Sequence, residues 1–126
     1  MKKEHIIIGL ITLVVILAIG FISYRENNIP GELDGFAQCL KDKGAIFYGA
    51  FWCPHCQNQK KLFGRSAKLL PYVECSNPNG QGQLQVCIDN AIKGYPTWGF
   101  ADKSRLDGEV PLATLAEKTA CVLPPQ

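Results

Sequence analysis

The chain has 126 residues, of which 13 are Lys or Arg and 11 are Asp or Glu, so its net charge is only +2. This length allows one small domain, and the scattered positive charges do not form the basic stripe typical of nucleic-acid binding. Six cysteines are many for so short a chain. A cytosolic protein rarely carries so many unless they bind metal or take part in catalysis, so the count favours an oxidising compartment.

The N-terminal segment, residues 1–25, is a separate apolar unit. Its uncharged run, residues 6–24, would span about 28 Å as a helix, close to the ~30 Å hydrocarbon core of a membrane. We predict a transmembrane anchor with a cytoplasmic N-terminus, because Lys2 and Lys3 precede the run, although Arg25 weakens the contrast. A cleaved signal peptide is the alternative, since Ala18-Ile19-Gly20 has the spacing of a cleavage site. Under either interpretation the rest of the chain is exported.

A short linker is expected at residues 26–32, which are polar and contain turn-forming residues, followed by a domain over residues 33–126. Apolar residues at helical spacing predict the first helix of this domain. They are Leu33, Phe36, Ala37 and Leu40. Gly44 ends this helix, and Cys39 lies just off its apolar stripe.

The chain is organised around the run Phe51-Trp52-Cys53-Pro54-His55-Cys56. Residues 45–51 are almost all apolar, as in a central strand covered on both faces, and residues 57–70 have the pattern of a helix. Cys53 therefore lies at a helix start, where unpaired N–H groups and the helix dipole favour a thiolate, and Pro54 suits the first helical position. This spacing indicates dithiol–disulfide exchange, with one exposed nucleophilic thiolate and one resolving thiol.

The helix over residues 57–70 is expected to kink or weaken at Gly64 and to end at Pro71. Its inner face would carry Leu62, Phe63, Ala67, Leu69 and Leu70, and its outer face Lys60, Lys61, Arg65 and Lys68. A short strand is predicted at residues 72–74, and a loop of turn residues follows Cys75.

The remaining elements follow from apolar spacing. Helical spacing recurs at Leu84, Cys87, Ile88, Ala91 and Ile92, and again at Leu112, Leu115, Ala116 and Thr119. Between these two helices, residues 97–100 predict a strand, and residues 102–104 predict a hairpin turn.

Two of these motifs resemble those of the thioredoxin-like superfamily. The run ending in Cys53-Pro54-His55-Cys56 resembles its active-site motif, and Gly94-Tyr95-Pro96-Thr97 resembles its cis-proline loop. A closer resemblance is to the thioredoxin-like domain fused to bacterial homologues of vitamin K epoxide reductase. The similar segments are residues 47–57, Lys60, residues 62–64, residues 72–76 and residues 95–98.

The resemblance implies an α/β thioredoxin-like fold, a central mixed sheet flanked by helices, here preceded by one N-terminal transmembrane helix. It implies that the Tyr95–Pro96 peptide bond is cis. That family's four-helix, quinone-reducing membrane domain is not found in these 126 residues. We therefore expect a separate partner of such an enzyme.

The resemblance also implies roles for the site residues. Cys53 is the expected nucleophile and the more exposed sulfur, Cys56 the resolving thiol, and their disulfide the redox-active one. Cys-Pro-His-Cys resembles the motif of strongly oxidising bacterial disulfide donors, so His55 is expected to stabilise the Cys53 thiolate. A solvated His at a helix start is the alternative.

Three residues are expected to contact substrate beside the catalytic Pro96, namely Trp52, Tyr95 and Thr97. Thioredoxin itself resembles residues 45–51 but carries a buried Asp six residues before its first active-site cysteine, where this chain has Phe47. That acid helps to deprotonate the resolving thiol when substrates are reduced. Its absence favours a disulfide donor.

The other four cysteines have alternatives. Cys75 and Cys87 form a disulfide across the loop, as in the fused family, or Cys87 is a buried free thiol. Cys39 and Cys121 either bridge the first helix to the end of the chain or stay free. A zinc site using Cys53, Cys56, Cys75 and Cys87 is less favoured, because the first pair lies at a strand–helix junction.

We therefore predict a membrane-anchored, extracytoplasmic thiol–disulfide oxidoreductase without cofactor or metal. It would donate disulfides to exported proteins and be reoxidised by a quinone-linked membrane partner of the vitamin K epoxide reductase type. The alternatives are a reductase for cytochrome or metallochaperone thiols and a module that binds copper or zinc through Cys53, Cys56 and His55. No nucleic-acid partner is expected.

Overall fold

Four short strands form one mixed sheet in the computed structural model, which describes residues 1–125 except the side chains of Lys2 and Asn27. The strands are β1 (Ile46–Gly49), β2 (Tyr72–Glu74), β3 (Thr97–Gly99) and β4 (Arg105–Asp107). Their order is β2-β1-β3-β4. β1 is parallel to β2 and antiparallel to β3, and β3 is antiparallel to β4. The predicted central strand is thus confirmed, although it is shorter than residues 45–51.

Five α-helices and one 3-10 helix accompany the sheet in the described part of the chain. They are α1 (Lys2–Asn28), α2 (Asp34–Asp42), α3 (Pro54–Leu62), the 3-10 helix Gly64–Leu69, α4 (Gln85–Asp89) and α5 (Leu112–Thr119). The chain divides into two units, Met1–Pro30 and Gly31–Gln126. Gln126, the last residue of the predicted domain, lies outside the described residues. The side chain of Lys2, one of the two lysines that predict a cytoplasmic N-terminus, is also not described.

The first unit contains α1, which is long and apolar enough to cross a membrane. Its candidate span is Lys3–Glu26, with a mean hydropathy of 3.0 and no buried residues. α1 continues to Asn28, so three residues of the predicted linker, 26–28, are helical. The linker prediction was therefore too long, because polar residues can extend an exposed helix.

The core of the second unit is aromatic. Phe47 of β1 stacks on Trp98 of β3 with ring centroids 4.9 Å apart, and Phe36 of α2 stacks on Phe63 at 5.9 Å. The predicted stripe on α2 is confirmed, since its four apolar residues are all buried. Burying Phe47 here stabilises the sheet by apolar contact at the position where thioredoxin has an acid.

The predicted helix over residues 57–70 is two helices. α3 ends at Leu62, and Gly64 has φ +52°, a left-handed conformation that glycine adopts without steric cost. A 3-10 helix follows. Leu62, the last residue of α3, is 46% exposed, so its predicted inward position is wrong. Lys60, predicted to point outward, is half-buried against Tyr72.

The predicted helix after Leu84 is only the five residues of α4. Cys87 and Ile92 are buried as expected, but Ile88 is exposed and Ala91 has φ +50°, which breaks the helical path. The apolar spacing was therefore a poor guide here, because part of it belongs to a turn.

Candidate active site

Cys53 occupies the N-cap of α3. Its Sγ accepts a hydrogen bond from the backbone N–H of Cys56, with 3.3 Å between sulfur and nitrogen, and Pro54 is the first helical residue. The free N–H groups and the dipole at this helix start favour negative charge on the Cys53 sulfur. The structure therefore gives Cys53 the setting that the motif predicts for a nucleophile.

Both sulfurs lie beneath the surface as free thiols, which corresponds to the reduced state. Cys53 is 4% exposed and Cys56 1%. Cys53 is thus the more exposed residue of the two, as predicted, but it is not a surface-exposed thiol. The Cys53 thiol lies 3.7 Å from the Tyr95 carbonyl oxygen, which can accept its hydrogen bond.

Cys56 is confined by β1. An ideal Cβ on Gly49 would lie 3.0 Å from the Cys56 Sγ and 2.8 Å from the Tyr72 ring, so only glycine leaves room for the sulfur. Burial, and then the hydrogen bond with Cys53, raise the pKa of Cys56 to about 12. Cys56 is thus a protonated thiol at neutral pH, as suits a resolving group that waits for the first exchange step.

The proline loop faces the two sulfurs. The Tyr95–Pro96 bond is cis, and the Pro96 carbonyl accepts a hydrogen bond from the Gly108 N–H at 2.8 Å. The Thr97 hydroxyl lies 2.7 Å from Asp107 Oδ1. Thr97 is buried, so its side chain supports the loop and does not have the exposed position that its predicted contact with substrate requires.

An apolar rim borders the sulfurs, and we define it as Phe51, Trp52 and Tyr95. Phe51 and Trp52 are half exposed, and the Trp52 and Tyr95 rings meet edge to face at 6.1 Å. The Trp52 indole N–H donates to Ser76 Oγ at 2.8 Å, and the Tyr95 hydroxyl accepts from Gln83 at 2.8 Å. Trp52 and Tyr95, the two rim residues that are predicted to contact substrate, are therefore held in place by the loop that follows β2.

Glu74 is a site residue that the sequence analysis missed. Its carboxylate accepts hydrogen bonds from the Phe51 N–H (3.2 Å), the Ser76 N–H (2.8 Å) and the Tyr72 hydroxyl (2.7 Å). This carboxylate therefore joins the start of the active-site motif to β2. An acidic residue at the end of a predicted short strand, directly before Cys75, was the available signal.

Glu109 is the second missed residue. Its Oε1 lies 2.6 Å from His55 Nδ1 and accepts a hydrogen bond from the Asn58 side chain at 3.2 Å. The bond with His55, then that with Asn58, lower the pKa of Glu109. Only the fold joins Glu109 to the motif, because it lies 54 residues after His55. The described side-chain contact of His55 is thus with Glu109. The predicted effect of His55 on Cys53 would act through space.

α3 is fixed by a buried amide. The side chain of Gln59 donates to the Val110 carbonyl at 2.9 Å and accepts from the Val110 N–H at 2.6 Å. This pairing satisfies both backbone groups and ties the active-site helix to the segment before α5.

The other four cysteines are paired in two disulfides. Cys75–Cys87 is fully buried beside Tyr48 and Ile92, and Cys39–Cys121 joins α2 to the residues after α5. Only Cys53 and Cys56 are thus free for exchange. Among the residues that the structure describes, no three His, Cys, Asp or Glu side chains are grouped as metal ligands.

A mixed sheet with a dithiol at a strand–helix junction and a cis-proline loop opposite it defines a thioredoxin-like domain. The comparisons with known proteins support a place for the chain in the thioredoxin-like superfamily. It is 52% identical over 88 residues to "Thiol-disulfide oxidoreductase LTO1" of Arabidopsis thaliana. The matched segment covers 66% of this chain and 23% of that protein.

A second relative is "Thioredoxin domain-containing protein 5 homolog" of Drosophila melanogaster. It is 32% identical over 81 residues, which cover 56% of this chain and 18% of that protein. The chain thus spans less than a quarter of the length of either relative. No family model matches it.

Proposed function

We propose that the protein is a thiol–disulfide oxidoreductase whose reactive pair is Cys53 and Cys56. The observation that carries this proposal is the placement of two free thiols at the start of α3, beside the Tyr95 carbonyl, while the other four cysteines are paired. The relative at 52% identity is named for the same activity.

The exchange proceeds through a mixed disulfide. A substrate thiolate attacks Cys53 Sγ of the Cys53–Cys56 disulfide, and the electron pair of the broken bond leaves on Cys56, which then takes a proton. A second substrate thiolate attacks the substrate sulfur of the mixed disulfide. The substrate gains a disulfide, and Cys53 leaves as a thiolate stabilised by the start of α3.

The direction that we propose is disulfide donation to exported proteins. Two features support it. Phe47, which is buried and apolar, stands where thioredoxin carries an acid, and the helix start favours the reduced form of Cys53, which makes its disulfide a better oxidant. The apolar rim suits unfolded substrate segments.

The proposed setting is extracytoplasmic. α1 would anchor the chain with its N-terminus in the cytoplasm, and a quinone-linked membrane enzyme of the vitamin K epoxide reductase type would reoxidise the dithiol. The candidate span Lys3–Glu26 and the four paired cysteines support this setting. Cysteine substitution at both ends of α1, with labelling by a membrane-impermeant thiol reagent in intact cells, tests the orientation.

The reduction potential of the Cys53–Cys56 couple tests the direction, using the full chain in detergent and glutathione buffers. A value of about −120 to −180 mV supports a disulfide donor, and a value of about −270 mV or lower indicates a reductase instead. Copper or zinc in stoichiometric amount in protein purified without chelator would indicate a metal-binding module.

A further inference from the structure

Lys60 is the cation of α3 nearest to the resolving thiol in the helical pattern. It lies four residues after Cys56, so the two side chains share one face of the helix. Lys60 is half-buried as a residue, and its ammonium nitrogen lies 3.4 Å from the centroid of the Tyr72 ring. A cation over an aromatic face is held there by the ring quadrupole.

The Tyr72 ring is itself fixed beside the sulfur. The Tyr72 ring and Cys56 Sγ both pack closely over Gly49, since an ideal Cβ on that glycine would lie 2.8 Å from the ring and 3.0 Å from the sulfur. The Tyr72 hydroxyl donates to Glu74 Oε2 at 2.7 Å, and Glu74 is bound to two further backbone N–H groups. Lys60 therefore rests on a rigid support that adjoins Cys56.

A cation beside Cys56 favours the charged form that exchange requires. Cys56 must carry a full negative charge whenever the Cys53–Cys56 bond forms or breaks, yet burial opposes that charge and raises the pKa of Cys56 to about 12. The Lys60 ammonium acts in the opposite direction on this pKa. The acid that could accept the proton in thioredoxin is replaced by Phe47, which is buried and apolar.

We propose that Lys60, held on the Tyr72 ring, is a positioning residue that stabilises the Cys56 thiolate during disulfide exchange. This inference rests on the proposed function and names a part of its machinery. Beside Lys60, the titratable groups coupled to Cys56 are the Cys53 thiol and the Tyr72 hydroxyl, and the Glu74 carboxylate binds that hydroxyl.

The test follows one half-reaction with glutathione disulfide as oxidant. The Cys53 thiolate attacks the glutathione disulfide and releases one glutathione thiolate. The Cys56 thiolate then attacks Cys53 Sγ, the bond to glutathione breaks, and the second glutathione thiolate leaves with the electron pair. The reduced full chain in detergent is quenched with acid at intervals, and mass spectrometry separates the dithiol, the mixed disulfide and the Cys53–Cys56 disulfide.

We expect Lys60→Met to slow resolution of the mixed disulfide about three- to tenfold at pH 7, which corresponds to about half to one pH unit in the ionisation of Cys56. The pH profile of this step should move upward by the same amount, while formation of the mixed disulfide stays within about twofold. Lys60→Arg should restore most of the rate, because it keeps the charge. Resolution by Lys60→Met at the wild-type rate and pH profile would overturn the inference.

Two matched comparisons separate this effect from general damage. Lys61→Met removes a neighbouring exposed lysine and should leave the rate of resolution unchanged. Tyr72→Phe keeps the ring and should stay within about twofold of wild type, whereas Tyr72→Leu removes the support and should slow resolution as Lys60→Met does. Equal rates in the two Tyr72 variants would contradict the proposed support.

Failure of the proposed function gives a different result. A wild-type chain that forms no disulfide with glutathione disulfide would refute the oxidoreductase activity and leave the role of Lys60 to a second measurement. This is the rate of Cys56 alkylation by iodoacetamide against pH in Cys53→Ser, with and without Lys60→Met. An upward shift with Lys60→Met supports the inference, and coincident profiles overturn it.

Discussion

The imidazole of His55 and the carboxylate of Glu109 lie 2.6 Å apart, although 54 residues separate them in the chain. The pair joins the first turn of α3 to the segment that follows β4. His55 is 70% exposed, so the interaction is screened by solvent and contributes little to folding. The pair fixes the position of the only imidazole in the active-site motif. It therefore affects the charge near the Cys53 sulfur.

Replacing His55 with Ala is expected to lower the reduction potential of the Cys53–Cys56 couple. An exposed interaction between opposite charges contributes about 0.2–1 kcal/mol, which corresponds to about 4–20 mV for a two-electron couple. Equilibration with glutathione buffers measures the change. His5→Ala is the matched control, since His5 lies in α1, and an unchanged potential in His55→Ala would remove His55 from the mechanism.

The reduced protein is expected to lose stability in alkali more steeply than the oxidised protein. The pKa of Cys56 is raised to about 12 in the folded chain from an ordinary value of 9.0, so between these values the native state binds more protons than the unfolded state. The unfolding free energy therefore falls as pH rises through this window, and the stabilising contribution is complete below about pH 9.

Thermal melts of the reduced and oxidised chain between pH 8 and pH 11 measure this difference. In the disulfide form neither sulfur titrates, and the reduced Cys56→Ala chain should also show the shallower dependence. Parallel curves for the reduced and oxidised wild-type chain would contradict the raised pKa of Cys56.

Gly49→Ala is expected to lower both stability and the rate of exchange. The added Cβ would lie 2.8 Å from the Tyr72 ring and 3.0 Å from Cys56 Sγ, and such overpacking costs about 1–3 kcal/mol. Urea unfolding measures the loss of stability, and peptide oxidation measures the rate. Gly35→Ala in α2 has open space around its new Cβ and should be neutral or slightly stabilising.

Removal of each disulfide by itself should affect stability and the exchange rate in opposite order. Loss of Cys75–Cys87 is expected to cost about 3 kcal/mol and loss of Cys39–Cys121 about 4.5 kcal/mol, because the second closes a longer loop. Only the first should slow peptide oxidation, since Ser76 and Gln83 hold Trp52 and Tyr95.

Paired Cys→Ala substitutions, urea unfolding and the rate of peptide oxidation provide the measurements. The fluorescence of Trp52 reports whether the rim has moved in the Cys75→Ala/Cys87→Ala chain. Equal rates in the two double variants would show that the buried disulfide has no part in positioning the rim.

Much of the fold follows from local patterns in the chain. The apolar run around Phe47 predicts a central strand, and the stripe that includes Phe36 predicts α2, because burial periodicity is encoded along the chain. The helix boundary at Leu62 was missed. A glycine that a helix tolerates and one that ends a helix look the same in sequence, and packing of Phe63 and Ser66 decides between them.

The sequence by itself identified the candidate reactive pair, because the spacing of Cys53 and Cys56 and the turn chemistry of Pro54 are local properties. Tertiary structure alone decided which groups surround those sulfurs. Glu74, Tyr72 and Glu109 reach the site from 16 to 56 residues away in the chain, on β2 and on the segment after β4. Their hydrogen bonds and charges depend on distances of a few ångströms that only the packed sheet and α3 establish.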